Sequence, residues 1–227
     1  MLVKNWMTRP VVTIDINESM YDAIKLTKKH AIKMLPVLKK NQLVGIITDR
    51  DLKKSSASDA TTLEVHELLE VVSNIKIADI MTKDPVTVPL NFTVEETAKV
   101  LMDKKISGVP VLDDNEDVAG IITQSDIFKA LISLTGICDD CIQFAFRLED
   151  RSGSIKEVAD IIRNFGGRMT SILSTYENVP AGYRNVYIRF HGFDADKVPE
   201  ITAAFKKHAT ILYMVYPSRN KREIFEE

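Results

Sequence analysis

The stretch Gly45-Ile46-Ile47-Thr48-Asp49-Arg50-Asp51 decides the fold, because the chain writes it a second time as Gly120-Ile121-Ile122-Thr123-Gln124-Ser125-Asp126. Each copy is a glycine, two β-branched apolar residues, a threonine and, three positions later, an aspartate. An apolar run ending in a hydroxyl residue reads as a strand that passes directly into a helix. A duplicated strand end carrying a hydroxyl and a carboxylate predicts a duplicated small-molecule site.

Outward from these stretches the repeat continues. Met7-Thr8-Arg9 falls on Met81-Thr82-Lys83, Thr13-Ile14 on Thr87-Val88, and Pro36-Val37-Leu38 on Pro110-Val111-Leu112, with one extra residue near Asp117. The local pattern in each copy is strand, helix, strand, strand, helix. The first helix carries Met20, Ala23, Ile24 and Thr27 at helical spacing in one copy and Val94, Thr97, Ala98 and Leu101 in the other. Ser19-x-x-Asp22 and Thr93-x-x-Glu96 read as capping boxes at their starts. A three-stranded sheet with two helices is too small to bury itself, so the two copies are expected to pack together. The expected boundaries are residues 1–54 and 80–132 for the copies. A connector spans 55–79, linker-like at Ser55-Ser56-Ala57-Ser58 and helical over Val65–Ile75.

The bulk numbers bound the function. In 227 residues with 45% hydrophobic and 27% charged residues, the net charge is -2, which makes no electrostatic case for nucleic acid. No stretch is apolar and long enough to span a bilayer, and Met1–Trp6 lacks the layout of a signal peptide. The expected setting is cytoplasmic, with no membrane partner.

A threonine at a strand-to-helix junction can aim its hydroxyl at an anion, where free helix N–H groups and the helix dipole favour phosphate. The aspartate three residues on lies on the same side of the first turn and, as an acceptor only, suits the paired hydroxyls of a ribose. The same spacing is also a capping box, so spacing alone leaves both readings open. Duplication at a repeated junction favours a pair of nucleotide clefts. The copies differ at Arg50 against Ser125; the guanidinium can give bidentate contact to phosphate.

The two repeats resemble cystathionine-β-synthase (CBS) domains in a tandem Bateman module. The markers are Met7-Thr8, Met81-Thr82, Met34-Leu35-Pro36-Val37, Gly108-Val109-Pro110-Val111 and the two Gly-Ile-Ile-Thr-x-x-Asp stretches. The resemblance implies an α/β (α+β) fold, the two domains packed sheet to sheet. It implies clefts for AMP, ADP, ATP or S-adenosylmethionine, with no cofactor required and no metal. It places the ribose on Asp51 and Asp126, the phosphate on Thr48 and Thr123 with Arg50 and Ser125 beside them. The base falls near Met34, Leu35, Pro36, Gly108, Val109 and Pro110.

The last third has a different period. Ile142, Phe144, Phe146 and Leu148 alternate with polar or small residues as a half-buried strand. A helix with Ile155, Val158, Ala159 and Ile162 follows, capped at Ser154-x-x-Glu157 and stopped at Gly166-Gly167. Two strands, a helix with Val198, Ile201 and Phe205, and a strand over 210–216 complete the order βαββαβ of a ferredoxin-like sandwich. With Asp150-x-x-Gly153 between first strand and first helix, residues 138–217 resemble an ACT domain, leaving 218–227 as a tail. That resemblance implies a small effector, often an amino acid, at Asp150, Ser152, Gly153 and Ser154, or a purely dimerising domain. Ser152 stands where a proline is often found in that family.

The whole arrangement is similar to the acetoin-utilisation protein B family and implies a homodimeric, ligand-sensing regulator that signals to a partner protein. Catalysis is not expected. No histidine falls in the repeated signatures or in the Asp150–Gly153 turn, and no Walker-type loop is present. A nucleotide hydrolase or transferase, or a scaffold with degenerate sites, are the alternative readings. Cys138-Asp139-Asp140-Cys141 lacks the second ligand pair of a structural zinc site and reads as two plain thiols.

Overall fold

The computed structural model describes residues 1–57 and 72–225. It divides into two compact units, Met1–Ala130 and Leu131–Glu227.

The first unit holds both repeats up to Ala130, within the last helix of the second. The first copy runs β1 (Ile14–Asp15), α1 (Met20–His30), β2 (Met34–Lys39), β3 (Gln42–Thr48) and α2 (Asp49–Ala57). After the short α3 (Ile77–Ile80) and β4 (Thr82–Lys83), the second copy runs β5 (Val88–Pro89), α4 (Val94–Lys104), β6 (Gly108–Leu112), β7 (Val118–Thr123) and α5 (Gln124–Thr135). Both expected capping boxes form. Asp22 N–H donates to Ser19 Oγ at 3.2 Å and Glu96 N–H to Thr93 Oγ1 at 3.1 Å, and each carboxylate accepts from the backbone N–H of its cap residue. The Ser19 hydroxyl and N–H hold the Asp22 carboxyl below the usual carboxylate range, as the Thr93 N–H and hydroxyl do for Glu96. Pro36 is tolerated in β2 because β1 pairs only with Val37 and Leu38, so no ladder bond is lost.

The sheets are not simple copies of the sequence repeat. They are ordered β1-β2-β3-β4 and β5-β6-β7, so β4, at the start of the second copy, adds to the sheet of the first by pairing Thr82 with Ile46 and Lys83 with Gly45. Thr8 makes the reciprocal bridge to Ile121 of the second sheet. The apolar residues follow the same exchange. Val3 and Met7 pack with Val88, Val94 and Leu101, while Ile77 packs with Ile14, Met20 and Leu35. Each copy is thereby closed by the leading segment of the other.

The glycine of the repeated signature makes this crossing fit. A Cβ on Gly45 would lie 2.5 Å from Met81 Sδ and 3.0 Å from Thr82 O. One on Gly120 would collide with Met7 Sδ and lie 2.8 Å from Met7 Cγ. Gly120→Val is therefore expected to destabilise the first unit by about 1–3 kcal/mol through overpacking. Thermal unfolding monitored by circular dichroism checks it, and an unchanged melting temperature would contradict the crossing.

Two expectations for the connector meet the structure differently. Ser55, Ser56 and Ala57 belong to α2 rather than to a linker. A helix already nucleated at its N-terminus gains a bond with each added residue, and serine costs only a few tenths of a kcal/mol there. The helix expected over Val65–Ile75 lies outside the described residues up to Val71; Val72 is buried with the first core.

The second unit is a βαββαβ sandwich. Its elements are β8 (Ile142–Glu149), α6 (Ser154–Asn164), β9 (Arg168–Thr175), β10 (Tyr183–His191), α7 (Val198–Lys206) and β11 (Thr210–Tyr216). With a further strand β12 (Lys221–Ile224), the antiparallel sheet is ordered β12-β11-β8-β10-β9. This fifth strand occupies the expected tail: Pro217–Arg219 and a left-handed Asn220 turn the chain back onto β11. Alternation in β8 places Ile142, Phe144, Phe146 and Leu148 in a core with Ile162, Phe190 and Phe205. The two cysteines, expected as plain thiols, are joined as a disulfide. A turn in which Cys141 N–H donates to Cys138 O at 3.4 Å sets their Cα atoms 5.3 Å apart, within the bridging range.

Candidate functional site

Both Thr-x-x-Asp junctions act as helix caps. Thr48 donates to Asp51 Oδ2 from its N–H at 2.8 Å and from Oγ1 at 2.6 Å, and Asp51 N–H returns a longer bond to Thr48 Oγ1 at 3.4 Å. Thr123 donates to Asp126 Oδ2 in the same way, at 3.0 and 2.7 Å. The two carboxylates then diverge. Asp126 is buried, and its Oδ1 accepts from Lys129 Nζ at 3.2 Å. Asp51 is half-buried, and among the described residues only its Oδ2 has a partner. Among the described residues one oxygen of Asp51 is thus open to an incoming hydroxyl, whereas Asp126 must share or release an exposed lysine, a pair worth about 1 kcal/mol or less.

The crossed topology gives each junction a cleft. A cavity of about 420 Å³ is bounded by Thr123, Ser125 and Asp126 of the second copy, and by Thr8, Pro10–Val12 and Ala31–Met34 of the first. A second, of about 570 Å³, is bounded by Thr48, Arg50 and Asp51 of the first copy, and by Thr82, Asp84–Val86 and Lys105–Gly108 of the second. Each cleft therefore joins the signature threonine and aspartate of one copy to an apolar pair, Val12 and Ile32 or Val86 and Ile106, of the other.

The sequence-expected residues divide accordingly. Thr48, Arg50 and Asp51 come together in the larger cleft with Met34 and Gly108; Thr123, Ser125 and Asp126 come together in the smaller one with Met34. Leu35, Pro36, Val109 and Pro110 line neither cavity and are buried within β2 and β6. The wall is made instead by the residues just before those strands and by the segments after Thr8 and Thr82. Those residues are themselves repeat partners, Val12 with Val86 and Ile32 with Ile106, but only the crossing brings them opposite the signature.

The turn Asp150–Ser154 of the second unit is built differently from its expected cap. Gly153, with φ of +88°, is the cap residue, and Ser154 begins the helix with its Oγ accepting from Arg184 Nη2 at 3.1 Å. A turn that demands positive φ puts glycine at the cap position and displaces the serine by one. Asp150 accepts from Tyr176 OH at 3.3 Å and lies 3.7 Å from Arg184 Nε. Arg151 makes a bidentate pair with Glu157, at 2.8 Å for both bonds, and also reaches Glu149 at 3.0 Å. Glu157 and Glu149 push the Arg151 guanidinium up, and Arg151 holds Glu157 below the usual carboxylate range. A Cβ on Gly153 would touch nothing within 4 Å, so the backbone there is open to approach, while Ser152 is exposed. No group of three histidine, cysteine, aspartate or glutamate side chains able to hold a metal occurs among the described residues. No described helix is long and apolar enough to cross a membrane.

Comparison with known proteins bears on the first unit. The family model for the CBS domain matches residues 3–58 and 77–133. The chain is 30% identical over 155 residues to the Methanocaldococcus jannaschii protein MJ1426, covering 58% of this chain and 92% of that one. It is 34% identical over 134 residues to the CBS domain-containing protein DDB_G0289609 of Dictyostelium discoideum, covering 59% of this chain and 92% of the relative. The crystal structure of CBS domain NE2398 superimposes with a TM-score of 0.50 at 29% identity, covering 58% of this chain and 98% of that one.

Proposed function

The chain belongs to the CBS-domain family, and from that premise we propose that it is a regulatory protein whose two clefts bind an adenosyl ligand: AMP, ADP, ATP or S-adenosylmethionine. The observation that carries this reading is the doubled composite cleft. Each cleft sets a helix N-terminus and a carboxylate against an apolar wall, in a volume of about 420 or 570 Å³ that suits a small-molecule ligand. The wall takes the base, Asp51 or Asp126 takes the ribose hydroxyls, and the helix end with Thr48 or Thr123 takes phosphate. In the capped state each threonine hydroxyl points at its own aspartate, so ligand must replace that bond with its own.

The second unit supports a further part of the reading. Its βαββαβ order and the open Gly153 turn fit an ACT-type domain that takes a small effector such as an amino acid at Asp150–Ser154, or that pairs two copies of the chain. The output is then a homodimeric, acetoin-utilisation-type regulator signalling to a partner protein, without turnover of the nucleotide. Melting shifts with AMP, ATP, S-adenosylmethionine and a panel of amino acids test ligand class. Saturating ligand at a hundredfold excess over Kd stabilises by about 2.7 kcal/mol. Release of product from ATP with magnesium would contradict the non-enzymic reading.

Arg50 lines only the larger cleft, where the smaller has Ser125. Arg50→Ala is expected to weaken ATP there roughly fivefold, the upper range for an exposed ion pair, and to leave AMP nearly unchanged. Calorimetric titration of both ligands checks it, and an unaltered ratio of ATP to AMP affinity would count against a phosphate role for Arg50.

A further inference from the structure

The two clefts share a wall. Lys33, Met34, Ser107 and Gln124 line both of them. Lys33 and Ser107 occupy equivalent positions in the two copies, as do Met34 and Gly108, and Asp49 and Gln124. Their backbones keep that equivalence: Asp49 N–H donates to Lys33 O at 3.0 Å, and Gln124 N–H donates to Ser107 O at 2.9 Å. Their side chains break it. A Cβ on Gly108 would lie 3.3 Å from Met34 Cε and 3.0 Å from Thr123 Cγ2. One methionine therefore fills the space that two symmetric side chains would contest.

Charge is distributed just as unequally. Among the described lining residues, Lys33 is the only cation common to both cavities; Arg50 and Lys105 line one, and Lys129 lines the other, where it already pairs with Asp126. Lys33 is exposed, carries a compact charge on a flexible stem, and sits between the clefts.

We propose that Lys33 is a phosphate contact of both clefts, so that two phosphorylated ligands compete for one cation and bind anticooperatively. The inference rests on the nucleotide reading of the clefts. The first ligand to arrive engages the ammonium. The second meets an occupied cation and the negative charge of its neighbour across the shared wall. An uncharged adenosyl ligand meets neither and binds the two clefts independently.

Calorimetry with ATP and with adenosine tests this, on the full chain and on the Asp51→Ala and Asp126→Ala variants, each of which leaves one working cleft. Lys33→Gln is expected to weaken ATP roughly twofold to fivefold in both single-cleft backgrounds, within the range of an exposed ion pair, and to leave adenosine unchanged. In the otherwise intact chain it is expected to weaken the first ATP and not the second. Loss of ATP affinity in only one background, or equal losses at both steps of the intact chain, would overturn the sharing of Lys33 while leaving the nucleotide reading in place. If neither ATP nor adenosine binds the parent chain, the nucleotide reading fails, and this proposal with it.

Discussion

Phe144→Ala is expected to cost the second unit about 3–5 kcal/mol and to leave ligand binding by the first unit intact. Phe144 is fully buried, and its ring centroid lies 5.0 Å from that of Phe205, 5.9 Å from Phe146 and 6.0 Å from Phe190. It contacts rings on its own strand, on β10 and on α7, so its truncation opens a cavity that no neighbour can fill without moving β10 or α7. Against a domain stability of about 5–15 kcal/mol the loss is large, and the melting temperature of this unit falls on the order of 20 °C. The first unit has its own two apolar clusters, made only of residues within it. Differential scanning calorimetry with and without ATP resolves the two effects: the transition of the second unit drops, and the ligand-dependent shift of the first persists. Loss of that shift would show that the first unit does not fold or bind on its own core.

Asp51→Ala is expected to weaken adenosyl ligands in the larger cleft by roughly tenfold to a hundredfold. A hydrogen bond to a charged acceptor contributes about 1.5–3 kcal/mol, and in the proposed reading the Asp51 carboxylate accepts from the ribose hydroxyls. The same change removes the partner of the Thr48 hydroxyl and N–H, so α2 loses its cap at about 1 kcal/mol. The two consequences separate by measurement, because the first appears in ligand titration and the second in the melting of ligand-free protein. Asp126→Ala is expected to act on the smaller cleft alone. Equal loss at both clefts from either substitution would contradict the assignment of one carboxylate to each.

Particular residues show how far the sequence could be read. Ser19 and Thr93 announced helix starts because a capping box is local, needing only four consecutive residues. The βαββαβ order of the second unit was equally legible, since strand alternation from Ile142 to Leu148 and the helical stripe of Ile155, Val158 and Ile162 are short-range patterns. Thr48, Asp51, Thr123 and Asp126, which line the two clefts, stood out because duplication marked them. The crossing was not legible. Nothing in Met7-Thr8 says that it closes the second copy, because the pairing of Thr8 with Ile121 spans most of the unit. The cleft walls at Val12, Ile32, Val86 and Ile106 were missed for the same reason, and Leu35 and Val109 were named instead because the family resemblance points to the backbone of the Pro-Val strands. Gly153 displaced the expected Ser154 cap because one positive φ outweighs a favourable capping residue. The strand at 221–224 was hidden in a polar stretch, which is what an edge strand presents.

The account stands most directly on stoichiometric adenosyl binding in two composite clefts. Isothermal titration of the full chain with AMP, ATP and S-adenosylmethionine, repeated on the Asp51→Ala/Asp126→Ala double variant, measures it. The predicted result is saturable binding of at least one of these ligands at two sites per chain, lost in the double variant while the second unit melts unchanged. No binding by the parent chain, or binding that survives in the double variant, would contradict it.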